Sequence, residues 1–243
     1  MTTNQLEALG PDDTFQFACH PQVPCFNQCC RDLNQALTPY DVLRLRVHLG
    51  MASGEFLQRH VSLNIGPATG LPIASLRFAN RQDRLCPFVS DQGCSVYDAR
   101  PASCRLYPLV RALSRSRLDG TFTEHYAILR EPHCRGFAQS RNQSVRQWIT
   151  DQELKAYHRH NDTLLELIAL KNRHYPGPLS PTHQQWATWA FYDIDQLKQK
   201  ALSHQLTGMD EESLTAIPEL NDDEQWLRWS LRWIRWALFG KTA

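Results

Sequence analysis

Between Phe17 and Cys30 the chain reads Phe-Ala-Cys-His-Pro-Gln-Val-Pro-Cys-Phe-Asn-Gln-Cys-Cys, which places Cys19, Cys25, Cys29 and Cys30 within twelve residues. Two prolines and the lack of any 3.6-residue or two-residue apolar period make this stretch an irregular loop. The other four cysteines, Cys86, Cys94, Cys104 and Cys134, follow later, and none lies beyond residue 134. A second dense stretch answers the first: Cys86-Pro-Phe-Val, Gly93-Cys94-Ser-Val-Tyr97, Arg100-Pro101 and Cys104-Arg-Leu-Tyr-Pro108. The two stretches are expected to meet in space around metal.

Eight thiols mean different things in different compartments. Residues 1 to 14 are polar and acidic and carry no apolar signal core, and no run of eighteen apolar residues is present. The expected location is the cytoplasm, with no transmembrane segment. Thiols stay reduced there, so the cysteines point to metal or redox chemistry and not to a disulfide framework. The formal net charge of +1 gives no bias toward nucleic acid, and no nucleic-acid partner is expected.

The spacings narrow the metal chemistry without closing it. Five residues separate Cys19 from Cys25, three separate Cys25 from Cys29, and none separates Cys29 from Cys30. No two-residue knuckle of the zinc-ribbon or ferredoxin kind occurs. Neighbouring side chains on an extended chain point to opposite sides, so Cys29 and Cys30 are expected to serve different metal atoms or different sides of one cluster. Eight thiols exceed the four ligands of one tetrahedral zinc. Two mononuclear sites, one or two iron–sulfur clusters, or one site with spare thiols all remain open. The cofactor is therefore zinc or iron, the latter as an iron–sulfur cluster, with the metal ligands drawn from Cys19, Cys25, Cys29, Cys30, Cys86, Cys94, Cys104 and Cys134. His20 and His133 adjoin cysteines, but the thiols already saturate the expected sites. His158 and His160 lack a partner at metal spacing and are expected on a solvated helix face.

Arg31, Arg105 and Arg135 each directly follow a cysteine, and Arg100 lies between two. Positive charge favours thiolate and offsets the charge of a thiolate-rich centre. Arg31, Arg100, Arg105, Tyr97 and Tyr107 are therefore expected to surround the ligands. Phe17, Phe26, Phe88 and Phe137 also lie within three residues of cysteines, where they serve as ordinary core or as a dry wall around the metal.

In these residues the chain resembles the YkgJ-type cysteine-cluster family, a zinc- or iron-chelating domain. The resemblance rests on Phe17 to Cys30, Leu37-Thr-Pro-Tyr-Asp41, Cys86-Pro-Phe, Cys94-Ser-Val-Tyr97, Arg100-Pro101, Cys104-Arg105 with Tyr107-Pro108, and Cys134. It covers about residues 15 to 138. The family's usual first run is Cys-x-x-Cys-x-x-Cys-Cys, and both gaps are longer here. Flagellin lysine N-methylases are similar in the same cysteine pattern. The resemblance implies a metal-binding protein. As an alternative it implies a metal-dependent enzyme that modifies a protein or peptide substrate, lysine N-methylase-like, and with it a possible protein or peptide partner. No Walker, Rossmann or nucleophile-elbow motif is present, and no methyl-donor loop can be pointed to.

The expected fold is α+β and mainly α. A cysteine-cluster metal-binding domain over residues 15–140 contains a small antiparallel sheet, and a helical region over 141–243 packs on it. Residues 1 to 16 read as a loose N-terminus. Thr38-Pro39-Tyr40-Asp41 predicts a helix start, with Thr38 as N-cap and Gly50 as the stop. A second short helix is expected from Ser53, carrying Phe56, Leu57 and Val61 inward. The alternation over Ile73–Phe78 predicts a strand, and 105–113 and 121–130 are further candidates around the turn signal Asp119-Gly120. Thr150 with Glu153, and Thr182 with Gln185, read as capping boxes. The last helix is expected from Asp222 to Leu238, closed by Gly240. Its Trp226, Trp229, Trp233 and Trp236 share one face, which is expected to pack on the protein's own helices, near Trp186 and Trp189, with Arg228, Arg232 and Arg235 beside it.

Overall fold

The structure is a computed structural model and describes residues 5–31, 35–79, 82, 84–116, 118–209, 215 and 217–240. It is an α+β protein in which helix outweighs strand, 45% to 20%, and all the sheets are small and antiparallel. The chain groups into two compact units. One comprises residues 1–33 and 88–158, and the other residues 34–87 and 159–243.

The first unit carries a three-stranded sheet in the order β1 (Gln5–Leu9), β9 (Phe122–Arg130), β8 (Leu109–Arg115). Leu6 faces Leu129 and Ala8 faces Ala127 on one side of β9, while Val110 faces Ala127 on the other. Asp119 and Gly120 turn the β8–β9 hairpin. The Asp119 carboxylate accepts the Ser116 hydroxyl and the Thr121 amide and hydroxyl, which holds its pKa at about 2. Two shorter pairs join β2 (Thr14–Gln16) to β10 (Asn142–Ser144), and β6 (Val89–Ser90) to β7 (Gly93–Cys94). From Gln5 on the N-terminal stretch is thus not loose: Gln5–Leu9 and Thr14–Gln16 are strands whose partners lie more than a hundred residues away, while residues 1–4 lie outside the described residues. Segments this short take their structure from pairing, which local sequence does not display. Around these pairs run α3 (Ala102–Leu106) and α4 (Val145–Asp151). Phe17, which is 2% exposed, packs edge-on to Tyr107 and Trp148 and against Phe137.

The second unit contains the sheet β3 (Ala36–Leu37), β5 (Pro72–Leu76), β4 (Val61–Ile65) in that order, with helices α1 (Pro39–His48) and α2 (Ser53–His60). α1 starts as its sequence predicts: the Thr38 side chain accepts from the Asp41 amide, and the Asp41 carboxylate accepts from the Thr38 amide. In β5, Pro72, Ala74 and Leu76 are buried and Ile73 and Ser75 half-buried, so the period-two signal was real. The three segments expected to share a sheet fall in two, β5 in this one and β8–β9 in the other unit. The α2 start has no cap of its own. Its Ser53 amide is taken by the Asp195 carboxylate at 2.7 Å and its hydroxyl by Asp193.

Helix α5, Leu154–His174, begins in the first unit and ends in the second. The Thr150–Glu153 box is not its start: Thr150 lies inside α4, where its hydroxyl bonds back to the Arg146 carbonyl, and Ser144 is the cap. α6 (Pro181–Phe191) is capped by Ser180 and not by Thr182, and proline takes the first helical position. With α7 (Ile194–Leu202) and α8 (Asp223–Phe239) it builds the core of the second unit. α8 is capped by Asp222 and closed by Gly240 at φ 75. Trp226, Trp229 and Trp233 are buried, Trp233 lies 6.1 Å from Trp186, and Arg228, Arg232 and Arg235 stay exposed. His160, expected on a solvated face, is instead 4% exposed. It stacks on Tyr40 at 4.2 Å and bonds Glu224 at 3.2 Å. A histidine alone in a sequence carries no sign of which face its helix buries.

Candidate metal centre

The cysteine loop is shaped by successive tight turns. The Val23 amide donates to the His20 carbonyl, Phe26 to Val23, Gln28 to Cys25 and Cys30 to Asn27. Asn27 adopts φ 65, a left-handed conformation that asparagine tolerates. Its amide donates 2.9 Å to the Ser90 carbonyl, and Phe26 lies against Gly93, so the two cysteine stretches do meet. The Cys19 end is fixed differently. The Ala18 amide donates to the Gly136 carbonyl, and the buried Gln143 side chain donates 2.7 Å to the Phe17 carbonyl.

Seven of the candidate thiols, Cys19, Cys25, Cys29, Cys30, Cys94, Cys104 and Cys134, belong to the first unit, and Cys86 belongs to the second. None of the eight is joined in a disulfide. Cys25 is buried, Cys30, Cys86, Cys94 and Cys134 are half-buried, and Cys19, Cys29 and Cys104 are exposed.

Cys25, Cys29 and Cys134 are close enough to Cys19 to influence its ionisation. The Cys19 thiol is pushed up to about 11, first by desolvation and then by the charges of Cys29, Cys25 and Cys134. Its residue surface is open to solvent, yet the surrounding chain still desolvates the sulfur. Cys29 moves the other way, down to about 7, because the Cys30 thiol donates to it; its own backbone amide helps and burial opposes. Burial raises Cys134, against the Tyr107 hydroxyl that faces it and the Gly136 amide. Burial likewise raises Cys94, against the Val96 amide and the Arg100 charge.

The arginines divide. Arg31 is exposed, whereas Arg100 and Arg105 are buried at 9% and 3% exposure. Arg105 donates to the carbonyls of Arg100, Gln152 and Asp98, and its guanidinium lies 4.9 Å over the Tyr157 ring. Arg100 lies 3.7 Å over the Tyr97 ring and donates to the Tyr97 carbonyl and the Gln152 side chain. Burial lowers the Arg100 pKa, while Tyr97, Cys104 and Cys94 support its charge. The Tyr107 hydroxyl is buried without a well-formed bond and faces Cys134 and Glu131; burial drives its pKa upward. His20 is held by Gln22 at 2.7 Å, and His133 lies 3.8 Å from Glu131.

Does this donor set fit a metal? In kind it does. Thiolates are the ligands that zinc and iron–sulfur centres take. Backbone amides are already directed at sulfur: Arg135 donates 3.0 Å to Cys25, Gly136 faces Cys134 and Val96 faces Cys94. Such donors favour the ionised form that a ligand needs. Among the described residues, however, no three Cys, His, Asp or Glu side chains converge closely enough to hold an ion as they stand.

A family model described as "Putative zinc- or iron-chelating domain" matches residues 18–146, just over half of the chain. The chain belongs to that CxxCxxCC family. Membership supports a metal ion as the partner of this CxxCxxCC domain. In its own first run the family's two-residue gaps are replaced by five and three residues. No curated protein and no solved structure matches the chain. Among the described residues no helix is long and apolar enough to cross a membrane.

Sequence reasoning missed Gly136. A Cβ there would stand 2.5 Å from the Phe17 ring and 2.8 Å from the Ala18 carbonyl, so only glycine lets the Cys19 segment lie against the Cys134 segment. Its place two residues after Cys134 was the only available signal.

Proposed function

We propose that the chain is a cysteine-cluster metal protein of a reducing, cytoplasmic compartment, in which thiolates hold zinc or an iron–sulfur centre. Cys19, Cys25, Cys29, Cys30 and Cys134 form one ligand group. Cys94 and Cys104 contribute from beside Arg100. The observation that carries this reading is the family match over residues 18–146, supported by the Arg135 amide that donates 3.0 Å to the Cys25 sulfur. When bound, the metal supplies a cross-link between segments distant in sequence, stabilising them as ligand binding stabilises any fold. The chain's own part is to orient sulfurs with backbone amides and to offset thiolate charge with the buried Arg100.

Metal analysis of anaerobically purified protein tests the reading. Zinc plus iron should exceed about half an equivalent per chain, since a folded thiolate site keeps its metal through purification; less than that overturns it. Acid-labile sulfide and visible absorbance signify a cluster, and their absence from metal-loaded protein signifies zinc. Cys25→Ser and Cys134→Ser should each lower the bound metal. Full occupancy in both variants would remove these two residues from the ligand set.

A further inference from the structure

The sheet β3–β5–β4 ends on an open edge. The Arg77 amide donates 2.7 Å to the His60 carbonyl, and the Gly66 amide 2.9 Å to the Leu71 carbonyl. In the register that sets Val61 against Leu76 and Ile65 against Pro72, these two bonds continue the β4–β5 ladder beyond its ends. Hydrogen-bonded pairs alternate along an antiparallel ladder, so Ser62 and Asn64 bond β5, and the backbone groups of Val61, Leu63 and Ile65 point away from it. Val61 is already used. Its amide closes α2 on the Leu57 carbonyl, and its carbonyl accepts from the Arg77 guanidinium at 2.8 Å. The amides and carbonyls of Leu63 and Ile65 have no partner among the described residues.

Natural sheets guard such edges with charge, proline or a bulge. Among the described edge strands of five residues or more, β8 carries Arg111 and Arg115 and β1 carries Glu7, whereas β4 reads Val-Ser-Leu-Asn-Ile. The two faces of β4 also differ. Val61, Leu63 and Ile65 share the face on which Leu76, Ala74 and Pro72 are buried, yet Leu63 and Ile65 are 42% and 43% exposed. Ser62 and Asn64, on the other face, are exposed polar residues. The apolar side of the sheet is thus left uncovered at its last strand.

We propose that the β4 edge binds an extended peptide of another protein, antiparallel to β4, with apolar residues at alternate positions and a carboxylate at its C-terminal end. Three observations select this partner. The unpaired N–H and C=O groups of Leu63 and Ile65 are matched by another extended backbone. Side chains directly opposite Leu63 and Ile65 fall on their face of the sheet, so apolar ones there cover both residues. The third observation is Arg77. Its exposed guanidinium holds the carbonyls of Gln58 and Val61, at 2.8 Å each, and pairs with no carboxylate among the described residues. It occupies the Val61 carbonyl that an added strand would reach next, so the open ladder stops at a positive charge, facing the C-terminal end of an antiparallel guest. A carboxylate answers that charge. The β4 of a second copy supplies none, since Gly66-Pro-Ala-Thr69 follows its Ile65.

Amide chemical shifts of the full chain, titrated with acetylated Ser-Val-Ser-Val bearing a free C-terminal carboxylate, test this. The Leu63 and Ile65 amides should shift and saturate. The C-terminal amide of the same peptide should bind about fivefold more weakly, the scale of an exposed ion pair, and Arg77→Gln should erase that difference. Recovery of affinity by Ser-Val-Ser-Val-Glu amide assigns a side-chain carboxylate as the natural source, and no recovery assigns a chain terminus. Leu63→Pro removes one outward N–H and leaves the bonds through Ser62 and Asn64, so it should abolish binding with the fold retained. Ile65→Lys keeps every backbone group and should weaken binding by removing apolar cover. Amides that stay unmoved at millimolar peptide overturn the proposal, as does binding that both variants leave intact or equal affinity for the acid and amide peptides. Shifts of Leu63 and Ile65 on concentrating the protein alone also overturn it, because they assign the edge to a second copy.

Discussion

In the helical unit, α8 buries Leu227, Trp229, Trp233 and Ile234 at 1% exposure or less, and a buried serine, Ser230, donates 2.6 Å to the Ala190 carbonyl. In the cysteine-bearing unit, Cys25 is the only buried thiol, and its loop rests on turn hydrogen bonds such as Gln28 to Cys25. The first arrangement is held by apolar area, which scales with the number of side chains removed from water. The second is held by a few directed bonds. The helical unit is therefore most sensitive to lost apolar volume, and the cysteine loop to the loss of a directed bond.

The largest expected effect probes the volume side. Trp229→Ala or Trp233→Ala should each destabilise the helical unit by about 3–5 kcal/mol, the usual range for emptying a buried aromatic site. Thermal unfolding followed by tryptophan fluorescence reads this directly, since Trp186, Trp189, Trp226 and Trp236 remain as reporters. A melting temperature unchanged in both variants would show that the stripe is not core.

This contrast also governs what the sequence made legible. The Trp stripe, the Thr38 capping box and the alternation of β5 are local patterns of burial, and all were readable in order and spacing. The sulfur positions were readable only as a list. What arranges them is nonlocal: Asn27 on Ser90, Ala18 on Gly136, Gln143 on Phe17. The misassigned starts of α5 and α6 fail for a related reason. Thr150 and Thr182 match the capping pattern, but Thr150 lies inside α4, which Ser144 caps, and α6 is capped by Ser180, whose side chain accepts from the His183 amide.

A middle-sized effect belongs to the cysteine-bearing unit. Gly136→Ala adds one methyl where Phe17 and the Ala18 carbonyl stand at 2.5 and 2.8 Å. Overpacking of this kind costs about 1–3 kcal/mol. Because the same contact holds the Cys19 segment to the Cys134 segment, bound metal should fall in this variant as well. Loss of metal together with stability would tie the two to one contact. Stability lost at full metal occupancy would show that the sulfurs tolerate the displacement, and the contrast between the regions would narrow.

The smallest effect returns to the helical unit and to its one buried histidine. Burial pulls the His160 pKa below its ordinary value; the Glu224 hydrogen bond and charge oppose this, and Arg159 and Arg228 add to it. The folded chain therefore prefers neutral imidazole. As pH falls below about 6.5 the unfolded chain takes up the proton first, so stability is fully present above that pH and declines as pH drops toward the lower folded value. His160→Gln keeps a polar group beside Glu224 and removes the titration. Melting temperatures at pH 8 and pH 5.5 should fall further for the wild type than for the variant. Asp223, whose pKa Lys198 and Arg46 lower against its burial, titrates in both proteins and cancels in the difference. A wild type that resists acid better than His160→Gln would mean that Glu224 holds the imidazolium in place. The helical unit would then rest at this point on charge, as the cysteine-bearing unit does, and not on burial.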